Sequence, residues 1–128
     1  MDRDRPTGLA MGLPETLVRL ASPQRDQLVP ADSVIPVIVR ADGLLQAVEF
    51  IMRHESGRDT LMRDRKDFSD PAESVEVEFE VRIPKVTTGT HLQFIGVAEN
   101  VLGERRETSP VPVIVIECDI FRSACAGL

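Results

Sequence analysis

Residues Ser74–Ile83 read Ser-Val-Glu-Val-Glu-Phe-Glu-Val-Arg-Ile and alternate apolar with charged or polar side chains throughout. A helix would scatter these residues around its circumference, whereas a strand sends them to two opposite faces. The stretch therefore predicts a half-buried β-strand. Its core face would carry Val75, Val77, Phe79 and Val81, and its solvent face Glu76, Glu78, Glu80 and Arg82.

The same period of two recurs along the chain and predicts six further strands. We place them at Thr16–Leu20, Val34–Ala41, Leu45–Arg53, Thr60–Met62, Thr90–Glu99 and Val111–Glu117, with a turn at Asp42-Gly43. About seven short strands within roughly 100 residues predict an all-β, immunoglobulin-like sandwich of antiparallel strands in two sheets. We assign residues 1–13 to an N-terminal arm, 14–118 to the sandwich and 119–128 to a C-terminal tail.

Composition argues against several kinds of partner. The formal net charge is -6, and phosphate backbones are bound by clustered cations, so a nucleic-acid partner is not expected. The five aromatic residues are all Phe, so stacking platforms for bases or sugars are nearly lacking. A short basic run at Arg63, Arg65 and Lys66 is interrupted by Asp64 and Asp67, and we interpret it as a solvated loop.

The sequence leaves the cellular compartment open. No apolar run approaches the ~20 residues of a membrane helix, and no apolar core of a signal peptide follows the charged start. The protein either stays where it is made or is a mature or excised piece. A disulfide between Cys118 and Cys125 would imply an oxidising compartment, and two unpaired thiols are an equal alternative.

Several short motifs follow one another in a fixed order between Leu20 and Glu117: Ser22-Pro23, Ala31-Asp32-Ser33, Val37-x-Val39-x-Ala41-Asp42, Val48-Glu49-Phe50, Gly89-Thr90-His91-Leu92 and Ser109-x-Val111-x-Val113-x-Val115. In these motifs the chain resembles the bacterial immunoglobulin-like (Big-type) domains that occur in tandem in surface and secreted proteins. The resemblance implies a β-sandwich and an extracytoplasmic location.

Residues that carry catalytic or metal chemistry are sparse. His54 and His91 are the only histidines, and no nucleophile or carboxylate motif accompanies either, so we expect no enzyme activity and no cofactor. Calcium is the one ion considered, because hard oxygen ligands at sandwich ends suit it. The weak candidates are Asp32, Asp42, Glu99 and Asn100, and acidic residues beside turns more often serve capping and solvation.

The alternation also predicts an unusual outer face. If Val48, Phe50, Leu92, Phe94 and Val113 point into the core, their neighbours point outward from three adjacent strands. These neighbours are Ala47, Ile51, Ile95, Val97, Pro112, Ile114 and Ile116. A soluble monomer rarely leaves such a patch bare. Either the tails cover it, through Leu9, Met11, Leu13, Ile120 or Phe121, or it docks a partner or a second copy.

Two functions follow as hypotheses. In the first, the chain is a structural or accessory subunit of a larger assembly, docking other protein subunits or itself through this face, with Ile120 and Phe121 contributing. Docking to a membrane complex is compatible with it, and a phage decoration protein is a variant of it. In the second, it is an adhesive or ligand-binding module excised from a multidomain bacterial surface protein.

Overall fold

Seven β-strands and no helix make up residues 13–56 and 59–117, the part of the chain that the computed structural model describes. No helix in this part is therefore long and apolar enough to cross a membrane. The strands are β1 (Leu17–Ser22), β2 (Gln27–Pro30), β3 (Val34–His54), β4 (Thr60–Arg82), β5 (His91–Asn100), β6 (Arg105–Glu107) and β7 (Val111–Ile116).

The strands form one hydrogen-bonded network that folds over into two layers. Its order is β1-β3-β5-β7-β2, with β4 beside β3 and β6 beside β5. The first half of β3 pairs with β1 and with the second half of β4, and we name this layer sheet A. The second half of β3 pairs with β5 and with the first half of β4. Together with β6, β7 and β2 these segments form sheet B.

The core lies between the two sheets and is almost entirely aliphatic. Val37 and Val39 from sheet A and Val48 and Phe50 from sheet B are fully buried, as the alternation predicts. The rings of Phe50 and Phe79 are 5.0 Å apart and tilted by 57°, which joins the two layers through an aromatic contact. The strand Ser74–Ile83 has its predicted orientation, since Glu76, Glu78, Glu80 and Arg82 are exposed.

Several predicted boundaries are wrong. The predicted turn at Asp42-Gly43 is a bend inside the continuous strand β3, where the pairing register shifts between Asp42 and Leu45. Gly43 has a φ of 136°, a conformation that costs other residues more than glycine. The predicted solvated loop around Arg63 and Lys66 is part of β4, which runs without interruption from Thr60 to Arg82.

Two short strands escaped the sequence analysis, and one pairing differs in direction. Neither β2 nor β6 is long enough to show a clear period of two. β2 pairs with β7 in parallel, Gln27 opposite Val113 and Pro30 opposite Ile116, whereas we predicted antiparallel strands only. A parallel strand at this position places Val29 in the core and leaves Leu28 on the outer face.

Candidate interaction surface

The outer face of sheet B combines an ionic cluster with an aliphatic strip. Strand order across this sheet is β4, β3, β5, β7 and β2, so the three strands expected to share the face do lie side by side. Cross-strand pairing defines its rows: Arg65 and Glu49 stand opposite each other, and Glu49 stands opposite Val97. The next row carries Asp67, Ala47, Glu99 and Arg105.

The ionic cluster is centred on Glu49, which is only 5% exposed although it lies on the outer face. Arg65 Nη1 and Arg105 Nη1 donate to its Oε2 atom, at 2.7 and 2.6 Å. Arg63 Nη2 lies farther away, 3.6 Å from Oε1. A buried carboxylate without such partners would cost several kcal/mol, on the order of the penalty for an unpaired buried charge. The arginines therefore allow Glu49 to be buried.

Glu99 completes the cluster from strand β5. It accepts hydrogen bonds from Arg65 Nη2 at 3.0 Å, from Arg105 Nη1 at 3.2 Å and from Gln46 Nε2 at 2.5 Å. Arg65 Nε donates in addition to Asp67 Oδ1 at 2.8 Å. Three arginines, Arg63, Arg65 and Arg105, thus face the three carboxylates of Glu49, Glu99 and Asp67, and the cluster is neutral as a whole.

The arginines hold both glutamates in their charged form. Burial on its own raises the pKa of Glu49, but hydrogen bonds and charges from Arg105 and Arg65 outweigh it and lower that pKa. A hydrogen bond from Arg65, aided by one from Gln46, lowers the pKa of Glu99 to about 2. General acid–base catalysis works best with a pKa near the operating pH. The cluster is therefore suited to holding strands together and not to proton transfer.

The predicted interface residues separate into two groups. Ala47 and Val97 are fully buried and Ile95 is 5% exposed, so their side chains offer a partner almost no surface. Arg105 reaches Glu49 across β5, so its side chain passes over that strand beside Val97. Ile51, Ile114 and Ile116 are half-buried on the same face. Ile120, Phe121, Cys118 and Cys125 lie outside the described residues.

Leu28 extends the aliphatic strip and was not foreseen. It stands beside Ile114 in the parallel β2–β7 ladder and is 46% exposed. Pro112 precedes Ile114 on the same face of β7. We define the aliphatic strip by its accessible members, Ile51, Pro112, Ile114, Ile116 and Leu28. The signal for Leu28 was the apolar pair Leu28-Val29, which is too short to reveal a strand by periodicity.

Each weak calcium candidate has a protein partner instead. Asp32 lies 3.3 Å from Arg82 Nη1, Ser74 Oγ donates to Asp42, and Glu99 belongs to the ionic cluster. Asn100 is 6% exposed and its Oδ1 atom accepts from the backbone N–H groups of Leu102 and Glu104. Among residues 13–56 and 59–117, no three His, Cys, Asp or Glu side chains gather as metal ligands.

The two histidines are surface residues with local contacts. Ser56 Oγ lies 2.8 Å from His54 Nδ1, so a hydroxyl accompanies this histidine, which the sequence did not lead us to expect. The backbone N–H of Ser56 also approaches the same nitrogen, at 3.4 Å. The contact joins the last residue of β3 to the turn that follows it, so the hydroxyl serves a local contact. His91 is exposed, and its carbonyl accepts from the backbone N–H of Glu55.

Comparison with solved structures identifies the architecture. The chain is similar to the Clostridium thermocellum CbhA fibronectin(III)-like modules, with a TM-score of 0.54 and 19% sequence identity over 81% of this chain and 100% of that one. No protein-family model matches the sequence. No curated protein matches it either.

The fold is an immunoglobulin-like β-sandwich.

In this sandwich, sheet B presents both the ionic cluster and the aliphatic strip outward. The cluster occupies the β4–β3–β5–β6 side and the strip reaches the β7–β2 side. A groove of about 530 Å³, lined by Glu49, Arg63, Asp64, Arg65 and Arg105, lies over the cluster. The surface is therefore amphipathic, with guanidinium groups beside apolar side chains.

Proposed function

We propose that the chain is a non-catalytic interaction module that docks a protein subunit through the aliphatic strip of sheet B. The observation that carries the proposal is the exposure of Leu28 beside the half-buried Ile114 in the β2–β7 ladder. Apolar side chains that are contiguous across neighbouring strands mark interaction sites more often than scattered ones do. The likeness to a fibronectin(III)-like module gives the fold alone, so the proposal rests on the surface itself.

The charges beside the strip indicate what kind of partner it fits. Arg63 stands opposite Ile51 and is 56% exposed, and within the described part of the chain its one ion pair is the 3.6 Å contact with Glu49. Arg53 follows on the same face of β3, and its Nε atom donates to Gln93. Their remaining guanidinium donors are available to carboxylates. We therefore propose a partner with an aliphatic surface and acidic side chains at its rim.

A pull-down with matched variants tests the docking face. The test variant is Leu28→Glu/Ile114→Glu, because Leu28 is the most exposed member of the strip and Ile114 is its cross-strand neighbour. The control is Leu17→Glu/Leu102→Glu, whose parent residues are 51% and 64% exposed but lie on sheet A and in the β5–β6 turn. We expect the wild type and the control to retain the same protein, and the test variant to lose it.

The retained protein is then purified, and its affinity is measured by titration calorimetry. A charged residue at the centre of an apolar contact costs several kcal/mol, so we expect at least a 100-fold weakening for Leu28→Glu/Ile114→Glu. Arg63→Glu should weaken binding at low salt and less at high salt. Unchanged affinity of Leu28→Glu/Ile114→Glu would contradict docking through the strip.

A second proposal follows from the resemblance to Big-type domains and from the bacterial module that matches along its whole length. The chain would then be one module of a larger surface protein and bind through the turns at one end of the sandwich. The Leu17→Glu/Leu102→Glu variant separates the two proposals. Loss of binding in this variant alone would favour the turn that contains Leu102.

A further inference from the structure

Among the residues that the structure describes, strand β4 has a free edge along its length. It pairs with β3 on one side, and no other strand within residues 13–56 and 59–117 pairs with its opposite side. Between Met62 and Asp67 the ladder with β3 is regular, because the register shifts lie beyond these two residues. A regular edge directs backbone N–H and C=O groups outward, and such an edge is a template for a further strand. At the centre of this segment the N–H of Arg65 donates to Asp64 Oδ1 at 2.8 Å, so strand pairing would exchange that side-chain acceptor for a carbonyl of the added strand.

Charged side chains normally protect an edge, but the order of charges here is self-complementary. The segment Met62–Phe68 reads Met-Arg-Asp-Arg-Lys-Asp-Phe. If a second copy runs antiparallel about a two-fold axis at Arg65, Asp64 stands opposite Lys66 and Arg63 opposite Asp67. Met62 then stands opposite Phe68. Every charged pair except the central one joins opposite signs, and opposite charges across strands are stabilising.

Neighbouring two-fold registers lack this match. An axis at Asp64 places two aspartates together and Arg63 against Arg65. An axis at Asp67 again places two aspartates together and sets Asp64 against Asp70. An axis at Arg63 brings no opposite charges together. An axis at Lys66 brings together only one kind of oppositely charged pair, Arg65 with Asp67. Like charges directly opposite are destabilising, so the charge pattern selects the axis at Arg65.

The one like-charge pair in this register is Arg65 opposite Arg65 on the axis, and the direction of the Arg65 side chain keeps its two copies apart. The Arg65 guanidinium points toward β3 and β5, where its Nη atoms contact Glu49 at 2.7 Å and Glu99 at 3.0 Å. Two copies of Arg65 would therefore diverge from the shared edge. Met62 and Phe68 are partly buried against the core at this margin, so their mutual contact would seal the open side of the sandwich.

We propose that two copies of this chain pair through their β4 edges, antiparallel and centred on Arg65, so that the two B sheets become continuous. The interface is isologous, because each residue and its opposite number occur twice. It lies at the opposite side of sheet B from Leu28 and Ile114 and shares only Arg63 with the surface proposed to meet the partner.

Sedimentation equilibrium over a concentration series tests the pairing on the intact chain. We expect the wild type to form a dimer, and Asp64→Lys to weaken it at least tenfold because the introduced lysine opposes Lys66 of the other copy, twice per dimer. The double variant Asp64→Lys/Lys66→Asp restores opposite charges and should recover the wild-type dissociation constant. Lys66→Asp alone gives an independent single variant with the same expected loss.

Three outcomes would overturn the proposal. One is a wild type that remains a monomer up to several hundred micromolar. Another is a dimer that Asp64→Lys leaves unchanged, and the third is a double variant that stays as weak as the single ones. Circular dichroism melts check that each variant is folded, which is expected since both side chains are exposed. Leu28→Glu/Ile114→Glu should keep the dimer, and its loss there would place self-association on the aliphatic strip.

Discussion

Arg105 donates a hydrogen bond to Glu49 across the intervening strand β5, with 2.6 Å between Nη1 and Oε2. The donor belongs to the three-residue strand β6 and the acceptor to the second half of β3. β6 has only three ladder positions with β5, from Val97 to Glu99. The side-chain bond therefore adds a second attachment for a strand that has few backbone bonds of its own.

Replacing Glu49 with Gln should destabilise the fold by about 2 kcal/mol, because Arg65 and Arg105 then lose their shared counter-charge in a largely buried site. Urea denaturation measures the change in the free energy of unfolding. The matched control is Glu76→Gln, since the Arg40–Glu76 pair is about half exposed and should contribute less than about 1 kcal/mol. Equal losses of unfolding free energy in Glu49→Gln and Glu76→Gln would show that the burial of Glu49 does not strengthen its ion pairs.

The low pKa of Glu99 predicts a specific dependence of stability on pH. Its pKa is about 2 in the folded chain, held down first by the hydrogen bond from Arg65, whereas an unfolded glutamate titrates near about 4.3. Because the folded pKa is the lower one, its stabilisation is complete above about pH 5 and declines as the pH falls toward 2. The stability gap between wild type and Glu99→Gln should narrow over that window. A gap that stays constant from pH 6 to 2 would contradict the assignment.

Gly96 is packed where the two sheets approach each other. A Cβ atom there would lie 3.3 Å from Val39 Cγ1 and 3.4 Å from Leu20 Cγ and Thr108 Cγ2. Gly96→Val adds a branched side chain to a filled site and should cost about 1–3 kcal/mol through overpacking. Gly96→Ala is the graded control and should cost less, because its neighbours need to move only slightly. Thermal unfolding of both variants ranks their stabilities. If Gly96→Val is as stable as Gly96→Ala, the site around residue 96 has room for the larger side chain, and the overpacking argument is wrong.

Asn100 organises the turn between β5 and β6. Its Oδ1 atom accepts from the N–H groups of Leu102 and Glu104 at 2.9 and 3.0 Å, and its Nδ2 atom donates to Glu104 Oε1 at 2.8 Å. Asn100→Ala removes the acceptor of two backbone donors and should cost about 1–3 kcal/mol. Asn100→Asp keeps that acceptor but opposes the Glu104 carboxylate, so its loss should be smaller. The free energy of unfolding, measured in urea, should be highest for the wild type, lower for Asn100→Asp and lowest for Asn100→Ala.

The alternation of apolar and polar residues along Ser74–Ile83 and the other predicted strands was enough to predict the sandwich and its core face. This is because each half-buried strand carries its own signal in the sequence. The continuity of β3 and β4 was not predictable in the same way. Asp42-Gly43 has turn chemistry, yet the backbone accommodates both residues as a bend, since each half of β3 finds partners in a different sheet.

The ionic cluster also lay beyond sequence reasoning. Glu49, Glu99 and Arg105 come from three strands, so their meeting depends on register, which single-strand periodicity does not contain. One signal was available: Glu49 falls between Ala47 and Ile51 on an otherwise apolar face. A lone carboxylate there requires a cation, and Arg63 and Arg65 alternate in phase with it across the β3–β4 ladder.

The unbroken passage of β3 and β4 through both layers has a consequence for how the molecule opens. In a sandwich whose sheets share no strand, one layer can fray while the other persists. Here the same two backbones supply strands to both layers, so separating β3 from β4 dismantles sheets A and B together. We expect the backbone amides of Val39 and Phe50, one from each layer, to be among the slowest to exchange with solvent. Both should report a single opening event with one free energy.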